Sequence, residues 1–307
     1  MNTLITGGSG LLGSALNIKN SFKPSSKELN LLNYQELKTY IINNNIEKII
    51  HCAALVGGVH ANKDLIYDFF SKNLEINLNI LNACKEFKLN NSIFILSTCV
   101  FPAEAEFPLT ENLLHDGEPH NTNYGYAYAK RMLEVGSRTL NEQYGIITTC
   151  IIPCNFYGPN DNHHLDYGHV IPSLIHKCHI AKETNSDFII WGSGIPEREF
   201  IYVNDLANVV ETISEDQTYS NKQYPNKIIV SSGISTTISK IANLVAKEMN
   251  FKGNIVYDRS MPDGILRKPT DTKVFNNLFP NFNWTSIEDG IKESVNYFNK
   301  NYPKVRK

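Results

Sequence analysis

Tyr126 and Lys130 stand four residues apart in a stretch that reads as a helix, so both side chains fall on one face. Beside a nicotinamide, such a pair is a proton-transfer unit. The ammonium stabilises phenolate, lowers the tyrosine pKa and can also hold the nicotinamide ribose. The spacing recurs by chance, and position gives it weight. It opens the helix after a strand that ends in Ser97, Thr98 and Cys99. A hydroxyl there could polarise a substrate carbonyl, or simply cap the strand end. Cys99 on its own reads first as a small buried hydrophobe.

The second constellation is TGGSGLLG at 6–13, with Gly7, Gly10 and Gly13 at three-residue intervals between a strand and a helix. The first glycine permits the tight turn, the second lets a pyrophosphate reach the backbone, and the third lets helix and strand pack closely. The helix start adds N–H donors for the anion. About 20 residues on, an NAD site would carry an acidic residue for the ribose. Here the segment 21–28 is SFKPSSKE, whose hydroxyls and lysine suit a 2′-phosphate, with Glu28 arguing the other way. NADP is the favoured dinucleotide. The histidines at 163, 164, 169, 176 and 179 lack the carboxylate or cysteine spacing of a closed tetrahedral site, so no metal is expected. Cys150 and Cys154 flank Pro153 at a strand end and read as packing residues.

These groups need a scaffold, and the sequence supplies one. Strands are predicted at 3–6, 46–54, 92–97 and 146–153, and helices at 11–18, 68–88 and 126–144. The strand runs are continuously apolar, as parallel strands covered on both faces are. The helix at 68–88 presents Phe69, Leu74, Ile76, Ile80, Leu81 and Cys84 on one broad face. Alternation at βαβ spacing predicts an α/β fold, a Rossmann-type doubly wound parallel sheet. Beyond Gly158 the pattern shortens: a polar loop at 160–168, strands at 187–191, 199–203, 227–231 and 254–258, and helices at 171–181, 205–214, 237–249 and 286–302. The expected division is a nucleotide-binding domain over 1–158, rejoined by segments around 188–214, and a smaller substrate lobe from 159–187 and 232–307.

With 307 residues, 42% hydrophobic and 20% charged, the chain is ordinary for a globular protein of about two domains. Lys and Arg number 29 against 31 Asp and Glu, a net charge of −2. That excludes a bulk electrostatic nucleic-acid binder. No run approaches ~18 consecutive apolar residues, so no membrane span is expected. The first thirteen residues read as strand and glycine loop rather than a signal peptide. Six scattered cysteines without a CxxC pair suit reduced thiols in a cytoplasm.

Taken together, Gly7-x-x-Gly10-x-x-Gly13, Ser97 and Tyr126-x-x-x-Lys130 resemble the extended short-chain dehydrogenase/reductase family. AALVGGVHAN (53–62), LSTCVFP (96–102), PHNTNYGYAYAKRM (119–132), PCNFYGPNDN (153–162), HVIPSLIHK (169–177), WGSGIPEREFIYVNDLA (191–207) and PDGILRK (262–268) resemble its GDP-L-fucose synthase branch, over nearly the whole chain. The resemblance implies NADPH-dependent 3,5-epimerisation and 4-reduction of GDP-4-keto-6-deoxy-D-mannose. The alternative is another GDP-4-keto sugar, such as a 6-deoxyheptose or colitose precursor. It implies Ser97, Tyr126 and Lys130 for the reduction, and Cys99 and His169 for the epimerisations. For NADP it implies Gly7, Ser9, Gly10, Leu11, Leu12, Gly13, Ser25, Ser26, Lys27, Ala53, Ala54 and Pro153, with Tyr126 and Lys130. For the GDP-sugar it implies Asn155, His169, Lys177, Trp191, Arg198 and Lys268. Lys177 stands where some members carry arginine, and Asn30 where many carry aspartate near the adenine. A homodimer through the helices at 68–88 and 126–144 is also implied. A nucleotide-binding module without catalysis would be expected to lack Tyr126 or Lys130, and a UDP-sugar 4-epimerase would have no use for Cys99 and His169.

Overall fold

The computed structural model describes residues 1–216 and 225–307. Its strands are β1 (Thr3–Thr6), β2 (Ser21–Phe22), β3 (Lys48–His51), β4 (Ser92–Ile95), β5 (Thr148–Pro153), β6 (Asn155–Tyr157), β7 (Phe188–Trp191), β8 (Glu197–Tyr202), β9 (Lys227–Val230), β10 (Ser235–Thr237) and β11 (Ile255–Asp258). Its helices are α1 (Leu11–Ala15), α2 (Tyr34–Asn43), α3 (Val59–Asp64), α4 (Ile66–Phe87), α5 (Tyr124–Tyr144), α6 (Val170–Thr184), α7 (Val203–Glu215), α8 (Ile238–Glu248), α9 (Lys273–Leu278) and α10 (Ile287–Asn301).

Among the described residues, one parallel sheet runs β2-β1-β3-β4-β5-β9. Every residue of β1, β3, β4 and β5 is buried, because helices cover both faces. One face packs Leu37, Ile41, Ile80 and Leu133 from α2, α4 and α5 onto Ile49, Phe94 and Ile152. The other packs Leu11, Leu12, Leu206 and Val210 from α1 and α7 onto Ile5, Ile50 and Ile151. This is the Rossmann-type sheet expected. The strand order reverses between β1 and β3, and a doubly wound sheet opens its ligand crevice at such a point.

The second lobe has its own core of Ile175, Phe188, Ile241, Val245, Ile291 and Phe298. There β8 pairs β6 in parallel and β10 antiparallel, and β7 pairs β11. Of the segments around 188–214 expected to return to the nucleotide-binding domain, α7 covers the large sheet, while β7 pairs with β11 in the small lobe. Asn160 ties the lobes, donating to Ser14 Oγ at 3.1 Å and accepting from the Tyr297 hydroxyl at 2.7 Å.

Element ends also shift. The helix expected over 11–18 stops at Ala15, and the strand expected over 46–54 stops at His51. Residues 52–58 form a loop over the crevice instead. No helix among the described residues is long and apolar enough to cross a membrane.

Candidate active site

A single cavity of about 1600 Å³ runs along the carboxyl ends of the sheet and into the small lobe. A typical small-ligand pocket measures ~300–1,000 Å³, so this one has room for more than one ligand. At its nucleotide end the three glycines do different work. Gly7 holds φ +68°, and a Cβ there would lie 2.8 Å from Ala53 N. A Cβ on Gly13 would lie 2.2 Å from Gly7 O, so only glycine lets α1 sit this close to β1. A Cβ on Gly10 would instead face the cavity, with Gly7 O at 3.2 Å. The resulting cradle fits a dinucleotide pyrophosphate, which needs close backbone approach at the middle glycine.

A buried polar network fixes the cradle to the catalytic helix. Thr6 Oγ1 is 2.7 Å from His51 Nδ1, His51 Nε2 is 3.1 Å from Asn77 Oδ1, and Asn77 Nδ2 donates to Ala129 O. Burial, helped by Lys130, pushes the His51 pKa down to about 3, so the ring is neutral and relays hydrogen bonds. Asn73, 1% exposed, exchanges two hydrogen bonds with the Leu55 backbone at 2.8 and 2.9 Å and so pins the 52–58 loop. Replacing Asn73 with Ala strands both backbone groups. Urea unfolding should show a loss of about 1–3 kcal/mol.

Ser97 caps a short turn over Thr98–Val100 by accepting from Cys99 N at 3.4 Å. Both readings of that hydroxyl meet here, because an accepting oxygen keeps its proton free to donate outward. Tyr126 is 8% exposed and packs with Ala61 and Phe69, with Cys99 at the edge of the cluster. Lys130 is buried, donates to Ile95 O at 2.7 Å, and lies 5.8 Å from the Tyr126 ring centre. Burial, with Cys99 adding to it, pushes the Tyr126 hydroxyl up, and burial pushes Lys130 down to about 8. The lowered tyrosine pKa is expected beside a nicotinamide; in the protein alone, burial sets the direction. Burial also pushes the Cys99 thiol up, against the opposing pull of Ser97, Lys268 and Lys130.

Across the cavity, His169 Nδ1 lies 3.1 Å from Asp161 Oδ1. Asp161 is 2% exposed, and its Oδ2 has no hydrogen-bond partner. Burial alone would lower His169, but the Asp161 carboxylate overrides it and the pKa is raised. Asp161 is a site residue that the sequence did not single out. Further in, Lys177 Nζ lies 3.6 Å from the centre of the Trp191 ring. Arg198 donates to Glu197 O and Ile265 O, Lys268 donates to Thr98 O, and Asn155 donates to Glu199 O. All of these line the same cavity, as do Ser9, Leu11, Leu12, Ala53 and Ala54.

Three expected residues do not line it: Ser25, Lys27 and Pro153. Pro153 closes buried β5, and the wall begins at Cys154. Ser25 gives both its N–H and its hydroxyl to the Glu28 carboxylate, at 2.7 and 2.8 Å. That turns Glu28 away from the cavity and leaves Ser26 and Asn30 on its wall. The histidine-rich segment is also accounted for. His163 and His176 bond the backbone and pack on Phe298, and His179 packs against Phe298 and Tyr302.

Glycine cradle, Ser–Tyr–Lys group and parallel sheet define a nucleotide-dependent enzyme of the extended short-chain dehydrogenase/reductase type. Residues 3–224 match the NAD dependent epimerase/dehydratase family. A GDP-L-fucose synthase of Dictyostelium discoideum is 39% identical over 99% of this chain and 97% of the relative. A GDP-L-colitose synthase of Yersinia pseudotuberculosis is 35% identical over 97% of this chain and 98% of the relative. A Naegleria fowleri GDP-L-fucose synthetase bound to NADP superposes with a TM-score of 0.91 at 37% identity, covering 99% of this chain and 94% of that one. The chain belongs to the GDP-L-fucose synthase family.

Proposed function

We propose that this protein converts GDP-4-keto-6-deoxy-D-mannose to GDP-L-fucose, with NADPH as reductant. One observation carries the reading: two kinds of proton-handling group, Ser97–Tyr126–Lys130 and Cys99 with the His169–Asp161 pair, line one cavity that continues from the glycine cradle. A plain ketoreductase needs only the first. When bound, NADPH supplies the hydride for C4. Ser97 hydrogen-bonds the C4 carbonyl, Tyr126 gives O4 its proton, and Lys130 holds the nicotinamide ribose. C3 and C5 are both α to the ketone, so Cys99 as base and His169 as acid invert them through an enolate. Trp191, Lys177 and Arg198 hold the GDP portion, with Asn155 and Lys268 beside the sugar. The nucleotide-binding domain and the substrate lobe meet along this cavity. Apolar side chains exposed on α4 and α5, among them Tyr67, Leu78 and Met132, support a homodimer through these helices. Light scattering on the purified protein tests that state.

Product NMR after incubation with NADPH and GDP-4-keto-6-deoxy-D-mannose tests the function. GDP-L-fucose is the expected product. An un-epimerised 4-alcohol, or no turnover beside turnover of another GDP-4-keto sugar, overturns it. The cofactor choice has its own test. No acidic side chain from 24–32 lines the cavity, and Ser26 does. NADPH should exceed NADH by at least ~10-fold in kcat/KM, about 1.4 kcal/mol. Equal efficiency sinks that assignment.

A further inference from the structure

The TGGSGLLG loop contains no basic residue, yet a dinucleotide diphosphate brings two negative charges to it. Lys23 packs against Gly8 but spends its ammonium on Leu16 O. The charge facing the loop comes from the far end of the chain. Past α10, Lys304 N turns back to Asn301 O, and Val305 is buried in the small-lobe core. The Arg306 carbonyl then accepts from His163 N at 2.8 Å, in the loop that carries Asp161. Its side chain crosses to the other lobe. Arg306 Nη1 lies 3.8 Å from where a Cβ on Gly10 would be, and the residue lines the cavity.

Among the described residues no hydrogen bond or ion pair engages this guanidinium. Arg306 is exposed at the rim of the cavity. Its backbone, anchored on either side by buried Val305 and the His163 bond, nevertheless sets the side chain against Gly10.

We infer that Arg306 is a ligand of the cofactor diphosphate, delivered across the cleft by the tail of the substrate lobe. The inference rests on the NADP reading above. The guanidinium fork suits two phosphate oxygens, while the loop amides supply only neutral donors. The tail thereby makes cofactor binding depend on the substrate lobe, since its grip on Arg306 runs through Val305 and His163. The GDP diphosphate is a less suitable target, because the groups proposed for it stand around Trp191 and Arg198.

The test is equilibrium binding to the full chain, by NADPH fluorescence and by calorimetry with GDP and 2′-AMP. Arg306→Ala should raise the NADPH Kd about 10- to 100-fold, the span of a charged hydrogen bond. Arg306→Lys should fall between, and Arg306→Gln, kept as a second variant, should match Arg306→Ala. GDP and 2′-AMP, which lack the dinucleotide diphosphate, should bind each variant within twofold of wild type. Wild-type NADPH affinity should weaken more steeply with added salt than that of Arg306→Ala. If wild type binds NADPH and both neutral variants bind it equally well, the assignment is wrong and the NADP reading stands. Loss of GDP or 2′-AMP affinity in its place also overturns the assignment. If wild type itself fails to bind NADPH, the NADP reading falls and takes this one with it.

Discussion

Tyr126→Phe should lower turnover by about 10²–10⁴-fold, the usual value of a positioned general acid, while nucleotide binding persists. The ring is what packs with Ala61 and Phe69, and phenylalanine keeps it. What goes is the proton. Burial pushes this hydroxyl up, so it stays protonated through the neutral range and is suited to donate to O4 as C4 is reduced. Stopped-flow NADPH oxidation at saturating sugar nucleotide reads the effect in kcat, with NADPH Kd as the control. A variant with near wild-type turnover would assign the proton to another group. Ser97 is the first to test, since its oxygen is occupied by Cys99 N and its hydrogen is available.

The motifs that could be read from the sequence are those whose partners are close in the chain. Gly7, Gly10 and Gly13 act within one turn, and the close approaches of Gly7 and Gly13 are the ones their spacing requires. Tyr126 and Lys130 share a helix face for the same reason. Asp161 was hidden because its meeting with His169 depends on how the 160–168 loop closes. There Gly168 N bonds His164 O, and a Cβ on Gly168 would lie 2.5 Å from Asn162 O. Nothing in the spacing of two polar residues eight apart announces that. Asn73 and Asn77 were passed over because asparagine on a helix reads as a solvated face. In α4 both lie inside, with Phe69 and Ile80, because tertiary backbone groups complete their hydrogen bonds. Two local signals went unused. Asn33 caps α2 by accepting from Gln35 N and Glu36 N, a legible helix start. Ser25-x-x-Glu28 is a capping-box pattern, and its closure gives the Ser25 N–H and hydroxyl to the Glu28 carboxylate.

Cys99→Ser should abolish solvent exchange at C3 and C5 while slow NADPH oxidation continues on the un-epimerised ketone. A serine hydroxyl is too weak an acid to serve as an anion at neutral pH, whereas the thiol, though raised by burial, has Ser97, Lys268 and Lys130 drawing it back. Exchange should fall by at least ~10²-fold, within the ordinary reach of acid–base catalysis. His169→Gln should depress both exchange and complete product formation, because the carbanion loses its donor on the opposite face. Asp161→Asn separates charge from shape. His169 is raised above its ordinary value by the Asp161 carboxylate, so its acid form persists to higher pH than a free imidazole and is lost as pH rises through the raised value. In Asp161→Asn that falling limb should begin at lower pH. Since burial without the carboxylate holds the ring below its ordinary value, the variant should approach wild type only on the acid side of that value and fall progressively behind above it. His169→Gln should show no such limb at any pH. Proton NMR in D₂O, with and without NADPH and across pH, reads all three. Absence of deuterium at either carbon in wild type would make the protein a reductase only. Undiminished exchange in Cys99→Ser would return the thiol to the packing role it shares with Ala54 at the edge of the Tyr126 cluster. A limb that stays in place in Asp161→Asn would show that the carboxylate orients the ring without tuning it.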